Sequence, residues 1–348
     1  MSQSSVSFRG IVPALITPMT ANEEIDEAGL RTLVERLIGA GVHALFVLGT
    51  NGEFIGLSEA EKLRIARIAV DQAGGRVPVI AGTGAYATRE VIALNSKMQD
   101  VGVQAASVIT PYFNGATQTE LYTHYERIAL ATSLPIMLYT IPAKAGITLT
   151  VDTVRRLSEI PNIRGIKDSG GDFDRLVQLI KLRRDDFAVF TGTDSMILWT
   201  LIAGGDGAVA ATTNAVPSVV MSIWNHFQAG EIAEARVAQE SLRALRDAFA
   251  LGTMPVVLKT AAAMLGMPAG PARAPAQPLD AKSLEKLTAA LSIYPHYQDV
   301  ATSEAGAANT SAGNIADKSM QRHAAVSSGA GTAGSAGSAS GAFSHALS

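Results

Sequence analysis

Residues 11–50 read IVPALITPMTANEEIDEAGLRTLVERLIGAGVHALFVLGT, and this one stretch holds a strand, a helix and a second strand in succession. The runs at 11–18 and 44–50 are short and mostly apolar, as parallel strands buried on both faces must be. Between them Leu30, Leu33, Val34, Leu37 and Ile38 recur at helical spacing over 27–40, and Asp26 stands where a side chain caps a helix start. The same alternation continues along the chain. Further strand candidates lie at 77–84, 105–112, 135–142, 163–169, 187–194 and 207–214, separated by longer segments of helical period. Ser58 and Glu61, for instance, form a capping-box pattern ahead of Leu63, Ala66, Ile68 and Ala69. Repeated βα units close most economically into an α/β fold of one kind, the (β/α)8 TIM barrel, with a doubly wound sheet as the alternative arrangement.

Beyond Asn214 the strand signals stop. Periodic apolar positions over 233–250, 254–265 and 281–291 make 219–297 a helical appendage to a barrel domain spanning 1–218. From about Thr302 the composition collapses to Ala, Gly, Ser and Thr, so 298–348 is expected to be a low-complexity, disordered tail that carries no chemistry. A chain of 348 residues, 47% of them hydrophobic, can bury a sizeable core. Its net charge of −3 supplies no bulk attraction to nucleic acid or to an anionic membrane, which leaves small molecules as the expected partners. With no cysteine there is no disulfide framework, thiolate nucleophile or Cys-ligated metal. The first ten residues are polar and the apolar run that follows is interrupted by Pro13, too short for a signal segment or a membrane span. A cytoplasmic protein is the expectation.

In a TIM barrel the active site lies at the C-terminal ends of the strands, so polar residues closing apolar runs stand out: Thr50, Tyr112, Tyr139, Lys167, Asp194 and Asn214. Lys167, in Ile163-Arg164-Gly165-Ile166-Lys167, ends a strand that should face the interior. Desolvation favours the neutral form of an amine, and a neutral amine can attack a ketone to give an imine, an electron sink for C–C chemistry at the adjacent carbon. The plainer alternative is a buried ion pair between Lys167 and Asp168. Tyr139 closes the strand before, where its phenol could relay protons during imine formation or simply fill the core. Gly49-Thr50-Asn51-Gly52-Glu53 could turn backbone N–H groups toward a carboxylate, though such sequences also serve as tight turns. Gly204-Gly205-Asp206-Gly207 lies on the N-terminal side of its strand and is read as a turn. His43 and His124 have no partner at metal-ligand spacing, and the absence of an HxH or HExxH pattern argues against a metal-dependent aldolase.

Three segments together resemble the dihydrodipicolinate synthase / N-acetylneuraminate lyase family of class I, Schiff-base-forming lyases. They are Gly49-Thr50-Asn51-Gly52-Glu53, similar to the family's GxxGE carboxylate loop, Tyr139 through Gly146, similar to its Y-x-x-P-x-x-x-G segment, and Gly165-Ile166-Lys167-Asp168-Ser169-Gly170-Gly171-Asp172, similar to the signature around its Schiff-base lysine. Their order and spacing agree over 8–297. The resemblance implies Lys167 as the imine-forming lysine, Tyr139 as proton relay and Thr50 as a further hydroxyl of that relay. It implies the Thr50 and Asn51 amides as the holders of the pyruvate carboxylate, and Val209 as a residue whose carbonyl faces the site. Lys144 and Tyr112 would line the substrate region. A homotetramer built from tight dimers, or a homodimer, is the implied assembly, and the resemblance implies that no metal or organic cofactor is needed.

The chain departs from the synthase pattern at three positions. Lys144 stands where synthases carry an arginine to grip the aldehyde's carboxylate, and lysine lacks the bidentate fork. Phe113 follows Tyr112 where the family has a second tyrosine that reaches across the dimer, and phenylalanine transfers no proton. Asn51 replaces a common threonine. The expected chemistry is therefore pyruvate enamine addition to, or removal from, an aldehyde. The candidates are a 4-hydroxy-tetrahydrodipicolinate synthase-like enzyme and a 2-keto-3-deoxy sugar acid or 4-hydroxy-2-oxoglutarate aldolase or dehydratase. A non-catalytic paralogue that only binds 2-oxo acids would need a broken Lys/Tyr/Thr set, and that set is present.

Overall fold

The computed structural model describes residues 8–295. All eight expected strands form: β1 Gly10–Pro13, β2 Leu45–Val47, β3 Val79–Gly82, β4 Ala105–Ile109, β5 Ile136–Thr140, β6 Ile163–Asp168, β7 Ala188–Thr191 and β8 Gly207–Ala210. They build one parallel sheet in the order β1-β8-β7-β6-β5-β4-β3-β2, so first and last strands pair and the sheet curls into a barrel. Along that seam Gly10 to Pro13 of β1 run in register with Gly207 to Ala210 of β8. On its other side β1 meets β2 more sparsely. His43 N–H donates to the Ile11 carbonyl, Leu15 N–H donates to the Phe46 carbonyl, and Ala14 bridges Phe46.

Thirteen helices are described: α1 Glu27–Gly39, α2 Glu59–Ala73, α3 Thr88–Val101, α4 Gln118–Leu130, α5 Pro142–Ala145, α6 Val151–Leu157, α7 Phe173–Ile180, α8 Ile197–Ile202, α9 Pro217–Ala229, α10 Ile232–Ser241, α11 Arg243–Ala248, α12 Val256–Met264 and α13 Ala281–Leu291. Local chemistry sets their ends. The Asp26 carboxylate accepts from Gly29 N–H at 2.9 Å to start α1, whose Leu30, Leu33, Val34 and Leu37 are fully buried. At α2 both arms of the capping box close: Ser58 Oγ accepts from Glu61 N–H and the Glu61 carboxylate accepts from Ser58 N–H. Helices α9 to α13 lie in the stretch expected to be the C-terminal helical appendage. The periodic run expected over 233–250 is broken there at Leu242, which separates α10 from α11. The tail expected over 298–348 lies outside the described residues.

Every strand is shorter than its apolar run. The clearest correction is at the last one, where the strand expected over 207–214 ends at Ala210 and Thr212–Asn214 forms a 3-10 turn. The buried Asp194 carboxylate takes the amides of Ala211 and Thr212, at 3.2 and 2.6 Å, and so bends the chain away from the sheet. Asn214 completes the bend by bonding Ile16 N–H and the Ala14 carbonyl. Two cores result. Helices pack on the outside of the sheet, and within the barrel Val12, Phe46, Ile80, Met137, Phe190 and Val209 fill the interior, below the C-terminal rim. Among the described residues no helix is long and apolar enough to cross a membrane.

Candidate active site at the C-terminal rim of the barrel

Strands β5 and β6 run in register with Tyr139 opposite Lys167, which brings the phenol and the amine to the same height in the barrel. Side chains alternate along a strand, so with Lys167 pointing inward Asp168 must point outward. The Asp168 carboxylate accordingly pairs with Arg175 at 3.0 Å and accepts from Gly170 N–H at 2.8 Å. The alternative of an ion pair between Lys167 and Asp168 is not formed.

Lys167 is 4% exposed. Its Nζ lies 4.1 Å from the Tyr139 ring centroid and 4.9 Å from that of Phe46, and it has no hydrogen bond or ion pair among the described residues. The two rings meet edge to face with centroids 6.4 Å apart, a π-lined niche around the nitrogen. Gly192, at the end of β7, makes room for the lysine stem. A Cβ there would sit 2.8 Å from Lys167 Cε and overlap the Ser169 hydroxyl.

Tyr139 leads on to Thr50, whose Oγ1 lies 3.2 Å from the phenol oxygen. Thr50 belongs to the turn that follows β2. The chain enters that turn through Leu48 in the left-handed region (φ 61°), with its carbonyl oxygen packed so closely on Gly82 that a Cβ at residue 82 would overlap it. Gly52 N–H then donates to the Gly49 carbonyl, and Glu53 N–H donates to the Thr50 carbonyl. Among the described residues no acceptor is recorded for the amides of Thr50 and Asn51. A turn that leaves two successive N–H groups unengaged beside a hydroxyl pair is suited to a carboxylate.

The remaining expected site residues are distributed as follows. Val209 is buried in the barrel interior. Tyr112 is half-buried and packs edge to face on Phe54, with centroids 5.9 Å apart; burial pushes its phenol up. Lys144 is exposed on the single turn of α5. Asp194 and Asn214, picked out as strand-closing polar residues, bond backbone groups and serve the fold. His43 Nδ1 accepts from Ile11 N–H, and His124 Nδ1 bonds the Thr88 hydroxyl at 2.9 Å. Among the described residues there is no group of three or more His, Asp or Glu side chains that could hold a metal ion. The Asp206 carboxylate accepts from Val189 N–H and pairs with Arg183, so Gly204 to Gly207 forms a turn at the N-terminal end of β8.

Sequence reasoning missed Phe46, Gly192 and Lys259. Phe46 looks like any core aromatic in an apolar run, and a glycine's role depends on what faces it. Lys259 was discoverable: it is the single charge in the run Val256-Val257-Leu258-Lys259-Thr260-Ala261-Ala262-Ala263.

The chain matches the Dihydrodipicolinate synthetase family over residues 7–294. It is 38% identical over 270 residues to the 4-hydroxy-tetrahydrodipicolinate synthase of Methanopyrus kandleri, covering 77% of this chain and 90% of that one. Among solved structures it resembles a dihydrodipicolinate synthase of Bacillus anthracis, with a TM-score of 0.81, 37% identity and coverage of 83% of this chain and 99% of that one. It also resembles a prophage protein of the dihydrodipicolinic acid synthase family from E. coli K12, solved in complex with pyruvate. There the TM-score is 0.79 and the identity 35%, covering 82% and 97% of the two chains.

Proposed function

Because this chain belongs to the dihydrodipicolinate synthetase family, we propose that it is a pyruvate-dependent lyase that holds its substrate as a Schiff base on Lys167. The observation that carries this reading is the contrast between two buried lysines. Lys259 spends its Nζ on three acceptors, Thr17 O, Glu53 Oε1 and Pro271 O. Lys167 is nearly as buried and has none among the described residues, and only a nitrogen whose lone pair can be freed attacks a carbonyl.

The neutral amine adds to the ketone carbon of pyruvate, its oxygen gaining a proton as the nitrogen loses one. The hydroxyl then departs as water, taking a proton from the Tyr139 phenol, which Thr50 resupplies. The Tyr139–Thr50 pair, now one proton short, takes a proton from the methyl group and turns the iminium into an enamine. That carbon adds to the aldehyde, whose oxygen takes the proton from the pair, and water hydrolyses the iminium to free the product and Lys167, the released proton returning to the pair. Retro-aldol cleavage is the same sequence reversed. The amides of Thr50 and Asn51 hold the carboxylate, the Val209 carbonyl faces the bound acid, and Tyr112 and Lys144 border the aldehyde. The barrel through residue 218 carries the chemistry, with no metal or organic cofactor required, while 219–297 supports it.

For the aldehyde, the names of the relatives favour aspartate semialdehyde, giving 4-hydroxy-tetrahydrodipicolinate. The exposed, unforked cation of Lys144 favours a second reading, a 2-keto-3-deoxy sugar acid or 4-hydroxy-2-oxoglutarate aldolase. We further read the chain as a cytoplasmic homo-oligomer, a tetramer or dimer. Phe113, 95% exposed at φ 80°, and Ile55, 71% exposed, both leave the C-terminal rim uncovered in a single chain. Sedimentation of a monomer would overturn the assembly.

Borohydride added with pyruvate is expected to leave a permanent mass on the wild-type protein and none on Lys167→Ala. Equal labelling of the two would refute the imine. Comparing aspartate semialdehyde condensation with cleavage of keto-deoxy acids then separates the two aldehyde readings.

A further inference from the structure

Lys259 lies on α12, far along the chain from the rim loops, and is 1% exposed. A charge buried this deeply needs full compensation. It finds it in the Glu53 carboxylate at 2.9 Å and the carbonyls of Thr17 (2.9 Å) and Pro271, one acceptor for each ammonium hydrogen. The other Glu53 oxygen accepts from Arg273 N–H at 2.8 Å.

Both residues that Lys259 grips across the barrel rim lead to the same turn. Glu53 is its last residue, held in the left-handed region (φ 61°) with its own N–H donating to the Thr50 carbonyl. Thr17 holds the turn from below, its hydroxyl donating to the Gly52 carbonyl at 2.8 Å. Thr50 in turn touches the Tyr139 phenol. A continuous set of bonds therefore joins α12 to the two unengaged amides and the hydroxyl pair. A buried ion pair contributes little net stability compared with well-packed apolar groups, but it does fix geometry.

We infer that Lys259 is a positioning residue: through Glu53 and Thr17 it sets the orientation of the Thr50 and Asn51 amides that receive the 2-oxo acid's carboxylate. This rests on the imine reading above. Lys259 is not a second nucleophile, since its nitrogen has no hydrogen left unengaged.

The test uses the full chain, with pyruvate as probe, and reads the pyruvate concentration giving half-maximal borohydride trapping alongside the melting temperature. A double variant, Lys259→Met with Glu53→Gln, removes the ion pair without stranding a charge. It is expected to trap pyruvate at saturation but to need about tenfold more of it, the effect of misaligning one hydrogen bond to a charged group. Thr17→Val, which deletes only the hydroxyl bond to Gly52, is expected to raise the requirement about threefold or more. A merely structural role would lower the melting temperature and leave half-saturation where it was. A folded double variant with wild-type half-saturation overturns the inference; should that variant not fold, unchanged half-saturation in Thr17→Val overturns it. Absence of trapping in the wild type would instead mark failure of the imine reading itself.

Discussion

Gly192→Ala adds one methyl group where the lysine stem needs space. The new Cβ stands 2.8 Å from Lys167 Cε, whereas carbon atoms ordinarily approach to about 3.5–4.0 Å, so the stem must retreat by about 1 Å. The Ser169 hydroxyl must rotate away as well. Gly192 N–H donates to the Asp168 carbonyl at 2.7 Å, which ties the backbone on both sides and leaves the lysine as the part that yields. A displacement of about 1 Å at a reacting nitrogen costs on the order of a hundredfold in rate, equivalent to about 2.7 kcal/mol. Borohydride trapping with pyruvate, followed over time by mass, reads this directly, and a parallel melting curve separates misplacement from unfolding. A Gly192→Ala protein that forms the imine at the wild-type rate would refute the placement of Lys167 as the reacting amine.

Tyr139→Phe keeps the ring beside Lys167 and deletes the hydroxyl that meets Thr50; imine formation is expected to slow by about 10²–10⁴-fold with the melting temperature little changed, and unaltered kinetics would remove Tyr139 from the relay. Asp168→Asn leaves Arg175 without its counter-charge in a site where the carboxylate is 2% exposed. A loss of about 3–5 kcal/mol in urea unfolding is expected, and a loss near zero would show the pair to be dispensable. Burial lowers His124 from 6.5 to about 4. Below pH 6.5 the unfolded chain therefore takes up a proton that the folded one refuses, and stability falls by up to about 3 kcal/mol on going down to pH 4, then levels for this group. His124→Gln should flatten that limb between pH 7 and 5, and parallel pH profiles for the two proteins would contradict it.

The strand positions were legible because a parallel barrel strand is apolar on both faces, so most appear as nearly continuous apolar runs, with Arg164, Lys167 and Asp168 the charged exceptions in β6. Their C-terminal ends were not, because loop residues such as Leu15, Ile16 and Leu48 are as apolar as the strands they follow, and a run cannot tell a ladder from a buried turn. At the end of β8 the deciding group was Asp194, a carboxylate on a neighbouring element. Within the candidate site, Lys167, Tyr139 and Thr50 could be read from position alone, as polar residues closing apolar runs. That rule also selected Asp194 and Asn214, since a buried carboxylate or amide looks the same in sequence whether it faces a ligand or a backbone amide. Phe46, Gly192 and Lys259 acquire meaning only from what lies opposite them across the barrel.

The pairing of β1 with β8 bears on how this protein is made. A bond such as that between Ile16 and Asn214 joins residues 198 apart, so the first strand emerges from the ribosome long before its main partner exists. At about 5–20 residues per second, the interval is on the order of ten seconds or more. Throughout it, the sparse contacts with β2 are all the sheet pairing available, and an apolar strand edge stays open to other nascent chains. Synthesis should thus depend on chaperone capacity more steeply than the finished barrel's stability would suggest.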